Sequence, residues 1–225
     1  MSSAVDNIRR FLAALPDGVK LVAVTKTIPV DIINAVYDSG HKIFGENKVQ
    51  ELISKSPNLP DDIEWHMIGH LQSNKVKYIA PYISMIHSVD SLKLLRIINH
   101  EGLKNNRIIN CLLQIYIAEE EAKFGLSFRE AEDLISTSEF KLFRNIKICG
   151  LMGMATFTGN MDQVRKEFKS LVNFFHMAKN KYFQKSEAFR EISMGMSGDY
   201  QTAIEEGATI IRVGSLIFGE RRNFN

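Results

Sequence analysis

The apolar positions of this chain fall into eight short runs rich in β-branched residues, separated by segments with helical period. The runs are Leu21–Thr25, Lys42–Gly45, Glu64–Ile68, Met85–Val89, Asn110–Ile117, Lys147–Met152, Glu191–Met194 and Ile210–Val213. The first is apolar at four consecutive positions, as a strand covered on both faces requires. Before it, Ile8, Leu12 and Leu15 suit one face of an opening helix. Pro29 opens the next helix, where a missing N–H is harmless, and Gly40 ends it behind the stripe Ile32, Ile33 and Val36. Asn47 to Ser54 carries Val49, Leu52 and Ile53 on one side. Asp90-Ser91 caps a helix with Leu94, Leu95 and Ile98 inside, and Ser127-Phe128-Arg129-Glu130 is a capping box. The longest helix, about Met161 to Phe183, repeats Val164, Phe168, Leu171, Phe175 and Ala178 at core-facing spacing. A short one, Asp199 to Glu206, stops at Gly207.

Strands that alternate with helices form parallel βαβ units. Eight such units in 225 residues predict α/β architecture: a single-domain (β/α)8 TIM barrel with an extra N-terminal helix, over residues 1–225. A doubly wound sheet is the competing arrangement, but no GxGxxG follows any of the strands.

Composition narrows the class of function. The chain is 45% hydrophobic and 24% charged, ordinary for a globule, and its formal charge of +2 offers neither a nucleic-acid footprint nor a polybasic membrane anchor. No apolar run approaches the ~18 residues of a membrane span. The apolar stretch at 11–15 is too short for a signal peptide. Cys111 and Cys149 stand far apart in no CxxC pattern, which argues against a disulfide framework or a zinc site. We therefore expect a cytoplasmic monomer that contacts neither nucleic acid nor membrane. The run Glu119-Glu120-Glu121 reads as a solvated face or loop.

Barrel sites form at the carboxyl ends of the strands. Lys26 stands at the end of the first. Ser193-Met194-Gly195-Met196-Ser197-Gly198-Asp199 and Arg212-Val213-Gly214-Ser215 stand at the ends of the seventh and eighth, where barrels commonly hold a phosphate. Ser197 lies where a short helix is expected to begin, so its hydroxyl and nearby amides can converge on an anion. Two glycine turns with a serine cap explain the same residues without a ligand. Gly195-Met196-Ser197-Gly198-Asp199 departs from the G-x-S-x-G nucleophile elbow at its last position, and the barrel is the wrong fold for it. His66 and His70 are four apart, but no Glu follows the first and the segment reads as strand and turn, so metal ligation is disfavoured. His66 is the one we place at the mouth. A strand-end lysine, a phosphate cradle and an arginine together suggest pyridoxal 5′-phosphate (PLP), whose aldehyde a lysine amine can capture.

Six stretches carry a family resemblance: Ala23-Val24-Thr25-Lys26, Phe44-Gly45-Glu46-Asn47, residues 65–75 from Trp65 to Lys75, Gly150-Leu151-Met152, Ser193-Met194-Gly195-Met196-Ser197 and residues 212–219. Together they resemble the pyridoxal-phosphate homeostasis protein family, over nearly the whole chain. The resemblance implies a barrel like the amino-terminal domain of bacterial alanine racemase, with the cofactor held as a Schiff base on Lys26. It implies Ser197, Gly214 and Ser215 as phosphate ligands, with Met196 adding a backbone contact. Arg212 is implied at the pyridine nitrogen, and Asn47 and His66 in the lining of the mouth.

An arginine at that nitrogen donates but has no proton to share, so the ring stays a weak electron sink. That disfavours transamination and still permits racemisation, which needs an acid or base on each face. The resembling racemases draw the opposing tyrosine from a second domain, which the end of the eighth unit at Asn225 leads us to expect is absent; Tyr200 is the conceivable substitute. The favoured expectation is a protein of intracellular PLP homeostasis that passes the cofactor to apo forms of PLP-dependent enzymes. A low-activity amino-acid racemase is the alternative, and a barrel for another phosphorylated metabolite a third.

Overall fold

The protein is described by a computed structural model covering residues 2–119 and 124–219. Eight parallel strands close into a barrel in sequence order. They are β1 (Lys20–Val24), β2 (Ile43–Glu46), β3 (Glu64–Met67), β4 (Met85–Val89), β5 (Ile109–Tyr116), β6 (Ile146–Met154), β7 (Glu191–Ser193) and β8 (Ile210–Val213). The helices are α1 (Ser2–Ala13), α2 (Val30–Asp38), α3 (Val49–Lys55), α4 (Val76–Ile79), α5 (Leu92–Lys104), α6 (Phe128–Ser136), α7 (Met161–Tyr182), α8 (Tyr200–Glu205) and α9 (Ser215–Phe218). The (β/α)8 barrel with its extra N-terminal helix is therefore the observed architecture.

Strand alternation sorts the core into two shells. Leu21 and Ala23 of β1 face outward into the layer shared with the helices. Val22 and Val24 face inward and meet Ile68, Leu112, Met152 and Ile210 inside the barrel. At the amino end of the barrel, Lys20 pairs with Glu191 at 2.6 Å. Closure comes from β1 pairing with β8, in a register that sets Val22 beside Arg212.

Local signals act largely as their chemistry dictates. Ser127 and Glu130 form the capping box, Ser91 Oγ accepts the Leu94 amide, and Gly40 leaves α2 at φ +103°. Several details differ from expectation. Pro29 sits one place before α2 in extended conformation, not inside its first turn, because the preceding turn delivers it with ψ 150°. On α1, Ile8 is buried and Phe11 packs on the core while Leu12 is exposed. On α3 the buried face is Val49, Leu52 and Lys55, and Ile53 faces solvent. Helix α8 lies within the expected 199–206, with Asp199 and Glu206 as its caps; Ser197 does not begin it, since Asp199 Oδ1 accepts the Met196 amide at 2.5 Å and residues 196–199 form a turn before it. Of the acidic run, Glu119 donates its amide to Thr156 Oγ1 and Glu167 Oε1; Glu120 and Glu121 lie outside the described residues.

Candidate functional site

Lys26, Asn47, Met196, Ser197, Gly214 and Ser215 follow the carboxyl ends of β1, β2, β7 and β8 at one rim of the barrel, whereas Arg212 of β8 and His66 of β3 are buried within their strands. Lys26 follows Val22 and Val24 by the inward period of two and is half-buried just past the end of β1. Thr27, next in the chain, has φ +65°. For a β-branched residue that is a genuine outlier costing ~1–3 kcal/mol, of the kind that persists only where neighbours over-determine it.

Across the β1–β8 seam lies Arg212, 4% exposed inside the barrel. Its Nη1 donates to Ser193 Oγ at 2.6 Å and its Nη2 to Gly153 O at 3.1 Å, both neutral acceptors. Burial lowers the guanidinium pKa to about 10, with Asp199 opposing, so it remains a cation at neutral pH. A buried cation on neutral acceptors suits a ligand that brings an acceptor or negative charge.

The hydrogen bonds continue from Ser193 to two histidines. His87 Nδ1 lies 2.9 Å from Ser193 Oγ, and His87 Nε2 lies 2.9 Å from His66 Nδ1. Arginine can only donate, so Ser193 accepts from Arg212 and its own hydroxyl proton is available to His87 Nδ1. With that proton given to His87 Nδ1, His87 donates through Nε2 to His66 Nδ1 and His66 carries its proton on Nε2. Burial holds both imidazoles neutral: His66 falls to about 3, and His87 lies well below the ordinary histidine value. His66 is thus in the barrel interior at the end of this chain. His87 and Ser193 were not singled out from sequence; their inward positions on β4 and β7 were the available signal.

The β7 and β8 turns converge. Ser197 Oγ accepts the Gly214 amide at 3.4 Å, longer than the usual 2.7–3.2 Å for such a bond. That amide is open to a stronger acceptor. Gly214 leads directly into Ser215 and α9. A Cβ on Gly198 would meet nothing within 4 Å, so there is room beside the Ser197 turn. Gly195, at φ +93°, admits no side chain, since a Cβ there would stand 2.6 Å from Ala203 Cβ. The Met196 backbone serves the turn itself: its amide donates to Asp199 and its carbonyl accepts from Asp199 and Tyr200. At the end of β2, Asn47 Oδ1 is buried without a hydrogen-bond partner, an acceptor waiting for a donor.

Around Lys26 lies a group the sequence did not advertise as a unit. Lys55 Nζ bonds Glu46 Oε1 at 2.7 Å and Glu51 Oε2 at 2.8 Å. Burial raises the Glu46 pKa against the hydrogen bonds of Lys55 and Thr25. Burial also pushes Glu51 upward, but its bonds from Lys55 and the Thr27 amide outweigh it and the net shift is down. The i,i+4 spacing of Glu51 and Lys55 was the legible part.

A lysine past one strand end, a buried guanidinium on the neighbouring strand and a two-turn cradle with open space fit PLP: amine for the aldehyde, donor for the ring nitrogen, hydroxyl and amides for the phosphate. Comparison with known proteins decides the relationship. Residues 2–222 match the family described as alanine racemase, N-terminal domain. A pyridoxal phosphate homeostasis protein of Aquifex aeolicus is 40% identical over 205 residues, 90% of this chain and 87% of that one. The chain belongs to the pyridoxal phosphate homeostasis protein family. The human member is 36% identical over 212 residues, 90% of this chain and 76% of its own. Among solved structures, PipY of Synechococcus elongatus with PLP bound superposes with TM-score 0.86 at 31% identity, covering 96% of this chain and all of that one. Alanine racemase of Clostridium difficile, at 13% identity and TM-score 0.74, shares the barrel fold. Among the described residues no helix is long and apolar enough to cross a membrane.

Proposed function

We propose that this chain binds PLP in the barrel mouth and serves in PLP homeostasis, holding the cofactor by a Schiff-base linkage to Lys26 Nζ. The observation that carries the reading is the Ser197 Oγ–Gly214 amide contact, which draws the β7 and β8 turns together beside the strands bearing Arg212 and Lys26. In this reading Ser197 Oγ and the Gly214 and Ser215 amides receive the phosphate, and Met196 shapes their turn. Arg212 donates to the ring nitrogen, and Asn47 Oδ1 and His66 complete the lining. Bound there, PLP supplies an aldehyde for amines and an electron sink for amino-acid chemistry. The family relationship and PLP-bound PipY support the assignment. As a cytoplasmic, monomeric carrier it would limit free aldehyde and pass PLP to apo-enzymes.

The racemase alternative needs a group opposite Lys26. Tyr200, the candidate from sequence, packs its ring 5.0 Å from Phe11 of α1, which favours the carrier. Turnover of a single-enantiomer amino acid at ~1 per second or faster would overturn the carrier reading.

The direct test is a visible spectrum with borohydride trapping. The wild-type protein with PLP is expected to be yellow and to yield a trapped adduct on the peptide bearing Lys26. Lys26→Ala is expected to lose the band. A colourless wild-type protein at saturating PLP sinks the proposal.

A further inference from the structure

Lys26 lies between two residues that are gripped from the same place. Thr25 Oγ1 donates to Glu46 Oε1 at 2.6 Å, and Thr25 O accepts from Lys55 Nζ at 2.8 Å. On the other side, the Thr27 amide donates to Glu51 Oε2 at 2.7 Å. Lys55 joins the two carboxylates at 2.7 and 2.8 Å. Three charged side chains, one from the end of β2 and two from α3, thus fix the backbone on both sides of Lys26.

The grip coincides with the strained residue. Thr27 holds φ +65°, which a β-branched side chain adopts only under constraint from its surroundings. The bond from Glu51 is made by the amide of that same residue. The direction in which Lys26 leaves the barrel rim depends on the backbone at 25–27, so whatever fixes Thr25 and Thr27 also aims the amine. Lys55 itself is no rival nucleophile. An ammonium has three donors and no acceptor, and its three go to Thr25 O, Glu46 and Glu51.

We propose that Glu46, Glu51 and Lys55 are positioning residues that lock the left-handed turn at Thr27 and thereby hold the Lys26 amine at the barrel mouth. They act through the backbone and touch no ligand. The proposal rests on the reading of Lys26 as the PLP-linking amine. It differs from a general structural role in one respect: it affects the covalent link and leaves recognition of ring and phosphate alone.

Two ligands separate these effects. Pyridoxine 5′-phosphate has the ring and phosphate of PLP with an alcohol in place of the aldehyde, so it fills the site without linking to Lys26. In Glu51→Ala the PLP affinity is expected to fall about tenfold or more, while pyridoxine 5′-phosphate stays within about twofold of wild type. Adding Thr27→Gly to Glu51→Ala is expected to restore PLP affinity part-way, because glycine holds a positive φ without penalty. If Glu51→Ala does not fold, Glu51→Met, which keeps most of the side-chain bulk but offers the Thr27 amide no oxygen acceptor, carries the same comparison. Unchanged PLP affinity, parallel loss of both ligands, or no rescue by Thr27→Gly overturns the proposal. If wild-type protein binds the two ligands equally and borohydride traps nothing on Lys26, the reading of Lys26 fails and the positioning role falls with it.

Discussion

His87 Nε2 lies 2.9 Å from His66 Nδ1, so two imidazoles share one proton deep inside the barrel. The contact needs an acceptor nitrogen on one ring, so the two cannot both be imidazolium, and burial lowers the pKa of each. Arg212, the neighbouring cation, reinforces this: its field, after burial and His66, lowers His87 further.

Acid should therefore undo the fold early. Unfolded histidines titrate near ~6.5, whereas folded His66 titrates at about 3 and His87 is also lowered. Between those values the folded chain binds fewer protons than the unfolded one. Stability is complete above about pH 6.5 and falls as the pH drops, with a limiting slope of ~2.7 kcal/mol per pH unit for two groups. His41, lowered by burial, adds to the slope. Urea unfolding followed from about pH 7 to about pH 5 should show this loss, and a His66→Gln, His87→Gln double variant should lose most of the dependence. A double variant with the wild-type slope would show that the pair is not its source.

Ser193→Ala removes the oxygen that accepts from Arg212 and hydrogen-bonds His87 Nδ1. Leaving a buried donor unsatisfied should destabilise the protein by ~1–3 kcal/mol. The tautomer of His87 should cease to be uniform, which nitrogen NMR of the imidazoles reports directly. A His87 that stays protonated on Nε2 alone would mean that its tautomer is set elsewhere.

Arg212→Ala is expected to weaken PLP by ten- to a hundredfold, from the ~1.5–3 kcal/mol of a charged hydrogen bond, and to shift the visible band. A band that does not move would show that Arg212 does not reach the ring.

Two glycines should respond oppositely. Gly150 lies at φ +151°, and a Cβ there would stand 1.8 Å from Glu191 O, across the β6–β7 pairing. Gly150→Ala should destabilise by at least ~3 kcal/mol, because strand backbone and not a movable side chain is in the way. Gly198→Ala, in open space, should stay within ~0.5 kcal/mol in thermal unfolding. It should still lower affinity for PLP and for pyridoxine 5′-phosphate alike by narrowing the room beside Ser197.

The barrel was legible because each strand repeats an apolar run and each helix a 3.6-residue stripe. Strand boundaries match to within two residues, β4 and β8 to the residue. The placement of Lys26, Ser197 and Gly214 past strand ends, and of Arg212 on β8, was legible, and strand ends are where barrels place chemistry. The short helices α4 and α9 were not, since one turn carries no period. Nor was the burial of Lys55 and Glu46, because charge in sequence signals solvent, and only tertiary pairing makes an exception. His87 was hidden for a related reason: a polar residue in an apolar run gives no sign that its partners lie on strands 21 and 106 residues away.

The seam between β1 and β8 has a consequence for the order of synthesis. Lys26, just past β1, leaves the ribosome early, whereas Arg212 of β8, the strand that pairs with β1, and the following Gly214 and Ser215 emerge nearly two hundred residues later. Asn7 of α1 then donates to Ile217 O of α9, joining the first helix to the last described one. On the proposed reading of Lys26, a growing chain exposes the amine for most of its translation without the proposed phosphate cradle. On that reading selectivity would arrive only with the closing strand, so cofactor capture would belong to the finished barrel and could not guide its assembly.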